Sequence, residues 1–206
     1  MVIGVDFDNT LVSYDDLLER LARERGFISG EDTRGKKSIR DRIRQFPNGD
    51  IEWQKLQGIM YGSRLNEARI MDGVPEFLNV CRQRRVSVSI VSHKTEYAGY
   101  DDTHTSLRHA ALTWMERQQF FSPTGFGLRR EDVFFAGTRA EKLATIQRLG
   151  CTWFIDDLEE TFLEPMFPPG PRKILFAPHG GHGPLAGVRV CHTWREILEC
   201  VFDGAI

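Results

Sequence analysis

The sequence lacks a dominant charge, a long hydrophobic run and any cluster of cysteines, and each absence removes a class of function. Its 206 residues carry a formal net charge of -2 with both signs interspersed, so no global attraction to nucleic acid or to an anionic membrane is expected. No apolar stretch approaches the length that spans a bilayer. The first apolar run is too short for a secretory signal and leads straight into two aspartates, so none is expected. Four cysteines, Cys81, Cys151, Cys191 and Cys200, show neither a CxxC spacing nor a His/Cys grouping at zinc-finger intervals. They read as core thiols of a cytoplasmic protein in a reducing setting. Internal repeats and low-complexity tracts are also missing.

What is present is an alternation. Apolar runs that suit buried strands occur at 2–6, 86–92, 133–136, 152–156, 173–177 and 188–191, and between most of them lie stretches with three-four spacing, at 75–84, 103–119, 140–149 and 194–202. Pro75 suits a first helical position, Thr138 with Glu141 forms a T-x-x-E capping box, and Gly150 closes the helix before the next strand. Asp101, Asp102 and His104 read as a helix cap ahead of Leu107, Ala111 and Trp114. Repetition of strand, helix, strand predicts an α/β fold, a Rossmann-like, doubly wound parallel sheet. The length accommodates one such domain and a modest insertion.

The insertion is expected at 13–71, with the core in 1–12 and 72–206. That stretch shows no convincing strand but several helical patterns: Leu17, Leu18, Leu21 and Ala22 behind a box at Ser13 and Asp16; Ile39, Ile43 and Phe46; and Ile51, Leu56, Ile59 and Met60 behind a capping Asp50. A helical segment directly after the first strand reads as a cap over the carboxyl edge of the sheet, or as an extension of the core.

At that edge the chain places Asp6 and Asp8, two carboxylates one residue apart at the end of the first apolar run. Side chains at i and i+2 of a strand leave the same face, and open α/β sheets bind ligands where their strands end. Two such anions require a cation between them or a proton on one of them. The alternative is a strand end running into an Asx turn, with Asn9 and Thr10 capping the next segment.

Four motifs in order carry a resemblance over nearly the full length: Asp6-Phe7-Asp8-Asn9-Thr10, the run Val88 to Ser92, Lys142 early in its helix, and Trp153-Phe154-Ile155-Asp156-Asp157. The chain resembles the haloacid dehalogenase superfamily, in particular its Mg²⁺-dependent phosphatase branch with a small helical C1-type cap. The resemblance implies a phosphomonoester hydrolase in which Asp6 attacks phosphorus to form an aspartyl-phosphate and Asp8 serves as general acid and then base. It implies Mg²⁺ held by Asp6, the Asp8 carbonyl and an acid of the fourth motif, with Asp157 favoured over Asp156. Ser92 and Lys142 are expected on the phosphoryl oxygens, with Asn9, Thr10 and His93 nearby and Lys94 as the competitor of Lys142. Asn9 stands where glycine is commoner. The pair Asp6/Asp8 disfavours a true dehalogenase, and leaves a phosphotransferase or phosphomutase, or a non-catalytic binding protein on the same fold, as alternatives.

The expected partner is a small phosphorylated metabolite, a sugar phosphate or a nucleotide. Arg34, Lys36, Lys37, Arg40, Arg42 and Arg44 form a basic run that reads either as recruitment of such an anion or as a solvated helix face. Trp53 and Tyr61 suit either a pocket wall or the core. His179 and His182 resemble a metal tract without a Cys or acid beside them and read as a loop.

Overall fold

The computed structural model describes residues 1–29, 35–100, 104–181 and 183–202. The chain runs β1 (Val2–Val5), β2 (Val12–Ser13), α1 (Asp15–Glu24), α2 (Lys36–Ile43), α3 (Gly49–Tyr61), β3 (Arg69–Ile70), α4 (Val74–Gln83), β4 (Ser87–His93), α5 (Leu107–Arg117), β5 (Val133–Ala136), α6 (Arg139–Arg148), β6 (Trp153–Asp156), α7 (Glu159–Leu163), β7 (Arg172–Phe176), β8 (Val188–Cys191) and α8 (Trp194–Phe202). It divides into two compact units, one of Met1–Val12, Ile70–Lys94 and Gln118–Ile206, the other of Ser13–Arg69 and Thr95–Arg117. The two-residue strands β2 and β3 pair with each other. Among the described residues no helix is long and apolar enough to cross a membrane.

In the first unit all pairings are parallel, in the order β5-β4-β1-β6-β7-β8. This is the Rossmann-like sheet that the alternation predicts. Its central strands are apolar on both sides because both faces are covered. One face packs Val91, Leu143, Ile146, Phe154, Phe162, Phe167 and Leu175 into a single cluster. On the other, the Trp194 ring of α8 sits 4.9 Å from Phe77 of α4 and 5.8 Å from Phe176 of β7. β1 lies between β4 and β6, so the strand order reverses beside it, and α/β sheets form their ligand crevice at that switch point.

Local signals explain the boundaries. Thr138 Oγ1 accepts the Glu141 N–H at 3.2 Å and Glu141 Oε2 accepts the Gly137 N–H at 2.7 Å, so the expected capping box forms at α6. Pro75 is the second residue of α4 rather than the first.

The second unit is helical, and two expectations change there. Ser13 does not cap α1: it lies in β2, Tyr14 holds the cap position without a side-chain bond, and Asp16 pairs with Arg69 at 2.9 Å. Asp50 does not cap α3. A Cβ on Gly49 would meet the Ile43 carbonyl oxygen at 2.4 Å, so close packing on the end of α2 starts the helix there, behind Asn48 at φ +58°, and Asp50 pairs with Arg44 at 2.7 Å. At α5, Ser106 Oγ accepts the His109 N–H at 3.1 Å. Asp101 and Asp102, like Arg34 and His182, lie outside the described residues.

The unit boundaries also differ from 13–71. Thr95–Arg117 joins the second unit and Ile70 and Met71 fall in the first. The cause is visible in α5, which buries Leu107, Ala111, Trp114 and Met115, and whose Trp114 indole N–H donates to the Ala68 carbonyl at 3.0 Å.

Candidate active site

Asp6 directly follows β1, and its backbone N–H donates to Ile155 of β6 at 2.9 Å. The carboxylate thereby emerges at the switch point. The next turn is tight: the Leu11 and Val12 N–H groups both donate to the Phe7 carbonyl, and Asn9 sits at φ +58°. Asparagine tolerates that left-handed geometry better than residues with bulkier side chains, which accounts for its standing where glycine is commoner. The Trp194 indole N–H donates to the Thr10 carbonyl at 3.1 Å and tethers the turn.

Two buried lysines meet this turn. Lys142, near the start of α6, places Nζ 2.6 Å from Asp6 Oδ1 and 2.7 Å from Asp156 Oδ2. Lys94, one residue beyond β4, places Nζ 2.8 Å from Asp8 Oδ2 and 3.1 Å from Oδ1. The two lysines that compete for one role in the sequence thus hold different carboxylates. Neither pairing has a local sequence signal, since the partners are 136 and 86 residues apart.

Asp6, Asp156 and Asp157 bring one carboxylate oxygen each within 4.8 Å of one another. Asp156 is fully buried; beyond Lys142, its Oδ1 accepts the Leu158 N–H at 2.9 Å. Asp157 is half-buried. Burial pushes the Asp6 carboxyl well above the usual carboxylate range; Lys142 pulls it down, and Asp156, Asp157 and Asp8 push it up again. Burial opposes the charge on Lys142, but Asp156 and Asp6 more than offset that and hold its ammonium above the ordinary lysine range.

Among the described residues, the carboxylates of Asp6, Asp8, Asp156 and Asp157 meet the ammonium groups of Lys94 and Lys142. A divalent cation suits such a gathering of carboxylates. Carboxylate oxygens also suit a hard ion such as Mg²⁺ better than a thiophilic metal, so the donor set fits the group that the resemblance implies.

Among the described residues, the buried hydroxyls of Ser92 and Thr10 have no hydrogen-bond partner. Buried polar atoms are rarely left so, and an orphaned hydroxyl at a ligand edge is a group awaiting one. Ser92 closes the apolar part of β4 beside Phe135 of β5. His93 departs from this grouping: it is exposed, and its Nε2 lies 3.2 Å from the Gly137 carbonyl. His179 is also exposed.

No protein-family model matches the chain, and no curated protein matches it. Solved structures do. A haloacid dehalogenase-like hydrolase from Streptococcus pneumoniae aligns at TM-score 0.59 and 14% identity over 97% of both chains. A protein from Thermotoga maritima, named as a candidate beta-phosphoglucomutase, aligns at 0.57 and 16% over 100% of this chain and 99% of its own. A HAD family hydrolase from Deinococcus radiodurans, determined with bound phosphate and sodium, aligns at 0.55 and 15% over 98% and 95%. With the parallel six-stranded sheet and its helical insertion, these alignments show that the chain has the fold of the haloacid dehalogenase superfamily.

Proposed function

We propose that the protein is a Mg²⁺-dependent phosphomonoester hydrolase that works through an aspartyl-phosphate. The observation that carries this reading is the meeting of Asp6, Asp156 and Asp157 within 4.8 Å, beside a buried lysine, at the switch point of the sheet. Phosphate-monoester hydrolysis is slow enough without a catalyst to need accelerations of up to ~10²¹. Positioning and charge stabilisation supply most of that.

In the proposed reaction an Asp6 oxygen forms a bond to phosphorus as the ester P–O bond breaks, and Asp8 donates its proton to the departing oxygen. Water then attacks phosphorus, Asp8 takes a proton from it, and the Asp6–phosphorus bond breaks to release inorganic phosphate. Asp6, the Asp8 carbonyl and Asp157 would hold Mg²⁺, which offsets the charge of the phosphoryl group when bound. Asp156 orients Lys142 from behind. The Lys142 ammonium and the Ser92 and Thr10 hydroxyls would receive phosphoryl oxygens, and the turn at Asn9 shapes the cradle. Lys94 holds Asp8 in place. The helical unit, inserted directly after the Asp8 turn, is the proposed source of substrate selection, with a small phosphorylated metabolite as its target.

The neighbour from Deinococcus holds phosphate, in keeping with a phosphoryl site on this fold. The neighbour from Thermotoga, named for a mutase activity, keeps a phosphomutase as the second reading. A panel of phosphorylated metabolites assayed with Mg²⁺ and with EDTA separates them. Inorganic phosphate released only with Mg²⁺ supports hydrolysis. Rearranged phosphosugar without phosphate release supports the mutase, and no turnover of any substrate leaves a binding protein.

A further inference from the structure

The first unit has a second concave surface, at the opposite end of the strands from Asp6. A cavity of about 640 Å³ is lined by Trp153, Arg172, Lys173, Arg189 and, from α8, Glu196, Glu199 and Cys200. That volume lies in the range of ordinary small-molecule sites. Trp153 is the register partner of Arg172, and Ile174 that of Arg189. Because side chains alternate along a strand, Trp153, Arg172 and Arg189 share one face. Phe176 lies on that face too and touches Trp194, so it is the face covered by α8.

The lining carries both signs, Arg172, Lys173 and Arg189 against Glu196 and Glu199, but its arginines and acids differ in how they are partnered. The Arg172 guanidinium lies over the Trp153 indole, 5.1 Å from its centroid, and Arg189 lies beside the Cys191 sulfur. Among the described residues neither has a carboxylate at ion-pair distance. The two acids of the cavity are engaged elsewhere: Glu196 accepts the His192 N–H at 2.7 Å, and Glu199 pairs with Arg195 at 3.1 Å. Strand spacing and rise put the Arg172 and Arg189 backbones about 8 Å apart. Two planar donor forks at that separation suit the oxygens of a phosphoryl group.

We propose that this cavity is a second anion site, which takes a small phosphate-bearing ligand independently of the carboxylate cluster. Guanidinium in place of ammonium favours bidentate recognition of phosphate, and the indole beneath Arg172 holds one fork in plane.

Cys200 supplies a local reporter, because it lines the cavity and is only half-buried, whereas the other three cysteines are buried. In EDTA, the alkylation of Cys200 by iodoacetamide is followed by peptide mass spectrometry on the whole chain, with and without inorganic pyrophosphate. Pyrophosphate at about nine times its Kd should slow the reaction about tenfold, because only the unoccupied tenth of molecules then reacts. Arg172→Gln and Arg189→Gln should each weaken that protection, Arg189→Lys should restore part of it, and Ser92→Ala should leave it unchanged. Absence of protection would overturn the proposal, as would protection that survives both glutamine variants or disappears with Ser92→Ala. Equal protection by citrate would overturn the assignment to phosphate. None of these readouts uses turnover, so the proposed hydrolase activity can fail without affecting the result.

Discussion

Lys142 holds Asp6 and Asp156 together, with its ammonium 2.6 Å from one carboxylate and 2.7 Å from the other. Deleting a member of a buried charge group leaves the rest uncompensated and commonly costs roughly 3 to 5 kcal/mol. Lys142→Met should therefore lower the denaturation midpoint as well as the rate. Added Mg²⁺ should recover part of the stability and none of the rate. Full activity in the variant would remove Lys142 from the site.

Asp6→Asn makes the opposite prediction for stability. It removes the nucleophile while relieving a carboxyl that burial and three neighbouring acids hold far from its ordinary state. Turnover should fall below detection while the melting temperature stays level or rises. Activity near wild type in that variant would sink the assignment.

Lys94→Ala and Lys142→Ala should differ in kind. Lys94 meets Asp8, so its loss should fall hardest on substrates whose leaving oxygen needs a proton and spare p-nitrophenyl phosphate, which leaves readily without one. Lys142→Ala should depress both substrates. Equal losses on both substrates in the Lys94 variant would make it a phosphate ligand instead.

Without metal, stability should fall as pH rises. Asp6 binds its proton more tightly folded than unfolded, so its contribution is fully present below the unfolded carboxylate value and is lost as pH climbs through the folded one. Glu24 and Glu67, held below the ordinary carboxylate range by Arg64, act in the other sense, so their contribution is lost only as pH falls. Urea midpoints in EDTA from pH 5 upward should decline, the gap to samples with Mg²⁺ should widen, and Asp6→Asn should flatten the slope. Midpoints that rise across this range in EDTA would contradict a raised Asp6.

Gly4 offers a test of packing. A Cβ there would meet Phe154 Cδ2 at 2.6 Å and Cys151 Sγ at 2.9 Å, where β1 lies against β6. Overpacking of this kind costs about 1 to 3 kcal/mol. Gly4→Ala should lower the melting temperature and, because Asp6 lies two residues on, the rate with it.

The sheet was readable because short runs buried on both faces leave a strong apolar signal: β1 and β4 to β8 fall within a residue or so of the expected positions. β2 and β3, two residues each, carry no periodicity to read. An apolar stripe at Leu107, Ala111 and Trp114 announces that α5 buries a face, but it does not say against what, so the membership of Thr95–Arg117 had to come from the structure. At the site, residue types and their order were legible whereas pairings were not. Nothing local distinguishes Lys94 from Lys142 or Asp156 from Asp157, because burial depth and hydrogen-bond partners set those differences and both arise from contacts distant in sequence.

The central place of β1 has a consequence for how the protein is made. Among the described residues β1 pairs with Ser87–Ile90 and Trp153–Ile155, both far along the chain. Pairings so distant in sequence are slow to close. Asp6 can meet Asp157 only once the chain through Asp157 has been made, so no shorter nascent chain can possess the carboxylate cluster.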